Sequence, residues 1–205
     1  MLAKKMLRTA WLYKAQFISM ILMVMLGVGM FVGFNMEWAS IEENMFSFFD
    51  DCHFADYRLV NERGFSAEDV EKISKIEGVD SVGRFLSVNA DVKNGGGNSV
   101  ALTVTTNPEV SSFVLIDGEK YDPESTDGVW ISDRYAEKNG VKKGDFITFI
   151  YRNAEIAGTV KGFIKAAEQM ICVRDKTQLM PDFSTHGYAY VSPALYKNAT
   201  GLDYY

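Results

Sequence analysis

Cysteine, histidine and proline are all scarce: the 205-residue chain has two Cys, two His and four Pro. Two cysteines exclude a disulfide-dense scaffold, so the fold has to rest on a packed core. Two histidines, His53 and His186, leave little room for His-based catalysis. No G-x-x-x-x-G-K-[ST] loop occurs; the nearest stretch, from Gly78 to Arg84, lacks the Lys and Ser/Thr that hold phosphate and magnesium, so the chain itself does not handle ATP. Acids are missing from the N-terminus, where none of the 27 Asp+Glu precedes Glu37, whereas Lys4, Lys5, Arg8 and Lys14 all lie there. With a formal net charge of -6, the rest of the chain is strongly acidic, which excludes a nucleic-acid binder that needs a clustered basic surface.

Charge of either sign is absent from residues 15–36. At ~1.5 Å rise per residue this run covers roughly 33 Å as a helix, enough to cross a ~30 Å hydrocarbon core. A helix satisfies its own backbone groups in lipid, so a transmembrane helix is expected. The bases before it and the acids after it put residues 1–14 in the cytoplasm and the body outside, by the positive-inside rule. A cleaved signal peptide is the competing reading, but its apolar region spans only ~7–15 residues and ends at a small-x-small site, whereas here the apolar run is longer and is followed by Asn-Met-Glu-Trp. Gly29 and Gly33 form a G-x-x-x-G that lets a neighbouring helix approach closely, although glycine is common in membrane helices.

Trp38, Ile41, Met45, Phe48 and Phe49 recur at helical spacing among polar residues. That stripe predicts a stalk helix over 37–53 continuing the membrane helix outward. A body over 54–205 follows, expected to be α+β with mostly antiparallel strands. Its expected elements are a strand over 54–60, a helix capped at Ser66, and a strand pair over 82–92 and 99–106 around a glycine-rich hairpin loop. A strand over 129–131 leads into a helix capped at Ser132 and stopped by Gly140. A hairpin over 145–151 and 156–164 comes next, then a last strand over 188–192 running into a helix from Pro193.

Chemistry-bearing groups are few. Asp50, Asp51, Cys52, His53 and Asp56 gather potential metal ligands without zinc spacing; the bland alternative is a polar junction. Cys172 with Arg174 and His186 raises a cysteine transpeptidase, but the Thr-Leu-x-Thr-Cys signature is absent. Cys52 and Cys172 can instead pair as a disulfide outside the membrane, which spacing alone does not decide. No acid pair stands out as a catalytic couple, and the expectation is a protein that is not an enzyme.

The order of these pieces resembles the N-terminal part of an FtsX-like, MacB-type ABC transporter permease. The basic segment entering the span, the unit from Val70 to Val79, and above all the run from Gly128 to Asp145 carry the likeness. The resemblance implies a MacB-like periplasmic core domain with a porter-like lobe and a β-rich second lobe. It implies a separate cytoplasmic ATP-binding cassette subunit contacted by Lys4, Lys5 and Arg8, the remaining permease helices or a second permease copy as neighbours, and no cofactor of its own. It further implies mechanotransmission: motion driven by ATP passes through membrane helix and stalk to the outside domain. Because no second apolar run follows Val191, a portion of a longer permease is expected. The rival reading is a self-contained single-span surface protein whose ectodomain binds a ligand or senses a signal.

Overall fold

The computed structural model describes residues 8–9, 11–61, 64–175 and 177–202. They divide into two compact units, Met1–Ser47 and Phe48–Tyr205. The first unit is dominated by helix α1, Lys14–Asp51, whose final turn belongs to the second. Over its most apolar 18 residues α1 has a mean hydropathy of 2.4 and nothing buried. Among the described residues it is the one helix long and apolar enough to cross a membrane. The expected span and most of the expected stalk lie on this single helix, which carries no proline to break it.

The second unit holds α2 (Ala67–Ser74), β1 (Phe85–Val92), β2 (Ser99–Thr105), β3 (Phe113–Gly118), β4 (Gly128–Ser132) and α3 (Asp133–Asn139). β5 (Phe146–Tyr151), β6 (Ala154–Ala166), β7 (His186–Val191) and α4 (Pro193–Thr200) complete it. The seven strands form one sheet in the order β3-β6-β4-β7-β2-β1-β5, and β5 also pairs with β6. That extra pairing closes the strands β6-β4-β7-β2-β1-β5 into a ring. Closure is possible because β6, at 13 residues, is long enough to bind β5 along its first half and β3 along its second, both opposite β4. The β2–β7 and β4–β6 pairs are parallel and the others antiparallel. The α+β class with a mostly antiparallel sheet is what is observed; the two expected lobes are replaced by one barrel-like sheet.

Two apolar clusters explain why β2, β4 and β7 are buried along their whole length. One face of β2 sends Val100, Leu102 and Val104 into a core with Ile131, Phe149, Ile156, Val160 and Val191, closed by Tyr135 of α3 and Leu195 of α4. The other face sends Ala101 into a second core with Trp130, Ile164, Cys172, Tyr188 and Tyr190. Each fully buried aliphatic or aromatic side chain contributes about 1.5–3 kcal/mol, so strands covered on both faces anchor the body.

Local signals set the helices. Ser66 accepts from the Asp69 amide and Asp69 accepts from the Ser66 amide, a capping box opening α2. Ser132 caps α3, and Gly140 ends it in the left-handed region at φ 67. Two expectations fail. Residues 54–60 form no strand: their alternation is present, but Tyr57, Leu59 and Val60 are exposed and no neighbouring strand takes them up. Residues 113–118 carry no expected strand, yet they form β3, which pairs with β6 across a register shift between Leu115 and Asp117.

Candidate functional site

The most elaborately built polar cluster lies where α1 ends within the second unit. Cys52 donates its amide to the Phe48 carbonyl at 3.1 Å, His53 to Asp50 at 3.0 Å and Phe54 to Phe49 at 3.0 Å. His53 occupies the left-handed region at φ 47, where glycine usually stands, and the Phe49 and Phe54 rings stack at 4.9 Å. This is a Schellman helix end with its hydrophobic contact, built around a non-glycine residue.

The freed carbonyls of that turn are taken by the segment before β3. Ser111 donates its amide to the His53 carbonyl at 2.9 Å, and Ser112 donates to the Cys52 carbonyl at 2.8 Å. Ser111 is itself left-handed, at φ 47. Its hydroxyl accepts from the Ala55 amide at 3.2 Å and donates to Glu168 Oε1 at 2.9 Å. Glu168 Oε2 receives Arg58 Nη1 at 3.2 Å, and the Arg58 guanidinium lies 5.2 Å from the centroid of the Phe85 ring. Ser111 is buried and the Glu168 side chain is only 14% exposed, while Arg58 is 58% exposed. The Arg58–Glu168 pair therefore contributes little through charge alone. The buried half, Ser111 to carboxylate, is the stronger bond.

The Cys52 side chain is fully buried, and the peptide groups of Val114 and Ala167 face its sulfur. Burial pushes its thiol pKa up despite those two contacts. Beyond it, Tyr190 has a buried hydroxyl without a hydrogen-bond partner; burial first, then the Glu168 carboxylate, oppose its ionisation. Phe113 meets Tyr190 edge-on at 4.8 Å and Tyr121 at 5.6 Å, and Tyr121 meets Trp130 at 4.8 Å. An aromatic chain thus runs from the Ser111 segment into the second core. Two left-handed non-glycine residues cost about 1–2 kcal/mol each and persist only where surrounding bonds hold them. The arrangement can fix the end of a helix to a sheet; it holds no acid–base or nucleophilic pair.

The residues singled out in the sequence distribute as follows. Lys4 and Lys5 lie outside the described residues, and Arg8 is exposed. Gly29 and Gly33 sit on α1 with open space where a side chain would project. Trp38 and Ile41 are exposed, and Met45 and Phe48 are half-buried. Cys52 and Cys172 are both buried and both free, so the disulfide between them is not formed. Cys52 is instead seated against the start of β3, while the Cys172 sulfur donates to the Gly187 carbonyl at 3.3 Å in the second core. Burial pushes the Cys172 thiol up to about 12, the opposite of what a nucleophile needs. His186 turns its Nδ1 to the Ser99 hydroxyl at 2.8 Å and is buried. Among the described residues no three His, Cys, Asp or Glu side chains gather as a metal site. Cys52 turns inward while His53 stays exposed, which separates the run that suggested one. Ser111, Arg58 and Glu168 went unnoticed in the sequence because their contacts join residues 57 and 110 positions apart.

No protein-family model matches the chain, and no curated protein matches it. A solved structure with this fold is the extracellular domain of the noncanonic ABC-type transporter YknZ from Gram-positive bacteria, at 17% sequence identity, 71% coverage of each chain and a TM-score of 0.50. At that identity the likeness is one of fold.

Proposed function

We propose that this chain is a non-catalytic permease portion of an ABC transporter, with α1 crossing the cell membrane and the body outside it. The observation that carries the reading is the combination of two features: a body sharing its fold with the extracellular domain of YknZ, and a long apolar helix with nothing buried against it. The basic N-terminus faces the cytoplasm, where Lys4, Lys5 and Arg8 are suited to an acidic surface of a separate ATP-binding cassette subunit. Gly29 and Gly33 offer a close-approach face to another permease helix or a second copy. Trp38, Ile41, Met45 and Phe48 form the stalk stripe, and the Cys52–Ser111–Glu168 cluster holds the end of that helix to the sheet.

Mechanically, a helix transmits motion only if its end is fixed to what it moves. Hydrogen bonds from Ser111 and Ser112 to the His53 and Cys52 carbonyls in the turn that closes α1, together with the buried Cys52, supply that fixation. ATP hydrolysis by the partner subunit is thereby coupled to export, or to control of a partner outside the cell. The test is purification of the protein from its native membranes with an antibody to the body. Co-purification of a P-loop ATPase is expected. A protein recovered with no nucleotide-binding subunit would leave a self-contained surface binder or sensor as the function.

A further inference from the structure

We infer that Glu168 is the pin of a releasable clasp, a separate cooperative unit that holds the end of α1 and opens while the body stays folded. Three observations lead there. The clasp is fastened by a short set of polar contacts: Ser111 and Ser112 amides to the carbonyls of His53 and Cys52, Ala55 to the Ser111 hydroxyl, that hydroxyl and Arg58 to Glu168, and the Cys52 sulfur against Val114 and Ala167. It also carries two left-handed non-glycine residues, His53 and Ser111, which meet through one of those bonds. Finally, the segment that follows contributes little burial: Tyr57, Leu59 and Val60 are exposed, and α2 buries no residue. Units with few buried contacts and strained backbone open at free energies below that of global unfolding.

Glu168 is the residue that makes the unit cooperative. Its two oxygens receive Ser111 from the segment before β3 and Arg58 from the segment after α1, and it sits in the short 3-10 helix Ala167–Gln169 that ends β6. The Ser111 hydroxyl joins the same three stretches from its own side, through the Ala55 amide and Glu168, so carboxylate and hydroxyl act as one linkage. Without the carboxylate, the buried Ser111 hydroxyl loses its acceptor and the left-handed turn loses its support. Glu168 is a positioning residue: it acts on the helix end through Ser111. This inference deepens the coupling proposed above and rests on that reading for its purpose, while its chemistry stands on the body alone.

The two cysteines are built-in reporters. Cys52 is sealed by the clasp and Cys172 by the second core. The full chain, purified in detergent without any partner, is pulsed with a maleimide, and labelling at each cysteine is read by mass spectrometry. Cys52 is expected to label faster than Cys172 and with a weaker dependence on urea. Glu168→Ala and Ser111→Ala are each expected to speed Cys52 labelling about tenfold or more with Cys172 unchanged, the scale of losing a hydrogen bond to a charged group. Glu168→Gln, which keeps an acceptor for Ser111, is expected to fall between wild type and Glu168→Ala. Equal rates and urea dependence at the two cysteines would overturn the clasp, as would a Glu168→Ala rate at Cys52 equal to wild type. Acceleration of both cysteines together would make Glu168 an ordinary stabiliser of the whole body, which also overturns it. Absence of an ATPase from native preparations sinks the permease reading and leaves this readout unaffected.

Discussion

Replacing Gly187 by alanine probes the centre of the closed sheet. Gly187 lies in β7 opposite Val100 of β2, and a Cβ built on it meets the Cβ, Cγ and Cδ2 atoms of Tyr135 at 2.6 Å. Tyr135 is only 2% exposed and packs in the core beneath α3, so its ring has nowhere to swing. Either α3 lifts from the sheet or β7 shifts against β2 and β4. Overpacking of a tight core costs about 1–3 kcal/mol, and with no flexible atom to yield the upper end applies, about 3 kcal/mol. For a body of this size that lowers the melting temperature by roughly 6–12 °C. Tryptophan emission is the assay: Trp130 is buried at 1%, whereas Trp11 and Trp38 are already 76% and 70% exposed, so the red shift on heating reports the body. A Gly187→Ala protein within about 1 kcal/mol of wild type would refute the packing of α3 on β7 described here.

Other perturbations follow from the same physics. Burial, then the Arg174 charge, depress the His186 pKa below its ordinary 6.5, so the unfolded chain takes up a proton before the folded one does. Stability is therefore full at pH 7.5 and declines as pH falls below about 6.5; urea midpoints at pH 7.5 and 5.5 should show the drop, and His186→Asn should flatten it. Ser66→Ala removes the α2 capping box and should cost about 1 kcal/mol, read as faster amide exchange confined to α2, since that helix buries nothing. Ile41→Pro breaks the hydrogen-bond ladder of α1 and should abolish ATP-linked function while leaving the Trp130 emission of the body unchanged. Retained function in that variant would count against the stalk as a transmitter.

Local chemistry made some elements readable in advance. Ser132 and Gly140 bracket α3 because a hydroxyl acceptor and a residue tolerant of positive φ are each sufficient to begin and end a helix. The glycine-rich loop announced the β1–β2 hairpin, and the run of 22 uncharged residues announced α1. Pairing was less visible. Alternation assigns faces to β6 but does not say that one 13-residue strand binds three neighbours and closes a ring. At residues 54–60 the same alternation misled, since a strand exists only where another offers its edge. The clasp lay furthest from view: Ser111 and Glu168 are unremarkable singly, and only the fold brings one hydroxyl and one carboxylate to the end of α1.

The central claim is that nucleotide turnover in the cytoplasm reaches the body through α1 and its clasp. Native membrane vesicles of right-side-out orientation, loaded with MgATP or left empty, can be pulsed with a membrane-impermeant maleimide and digested. The account predicts that Cys52 labelling from outside changes with nucleotide while Cys172 stays protected in both states. Labelling of Cys52 that is indifferent to nucleotide, or that requires inverted vesicles, would contradict it.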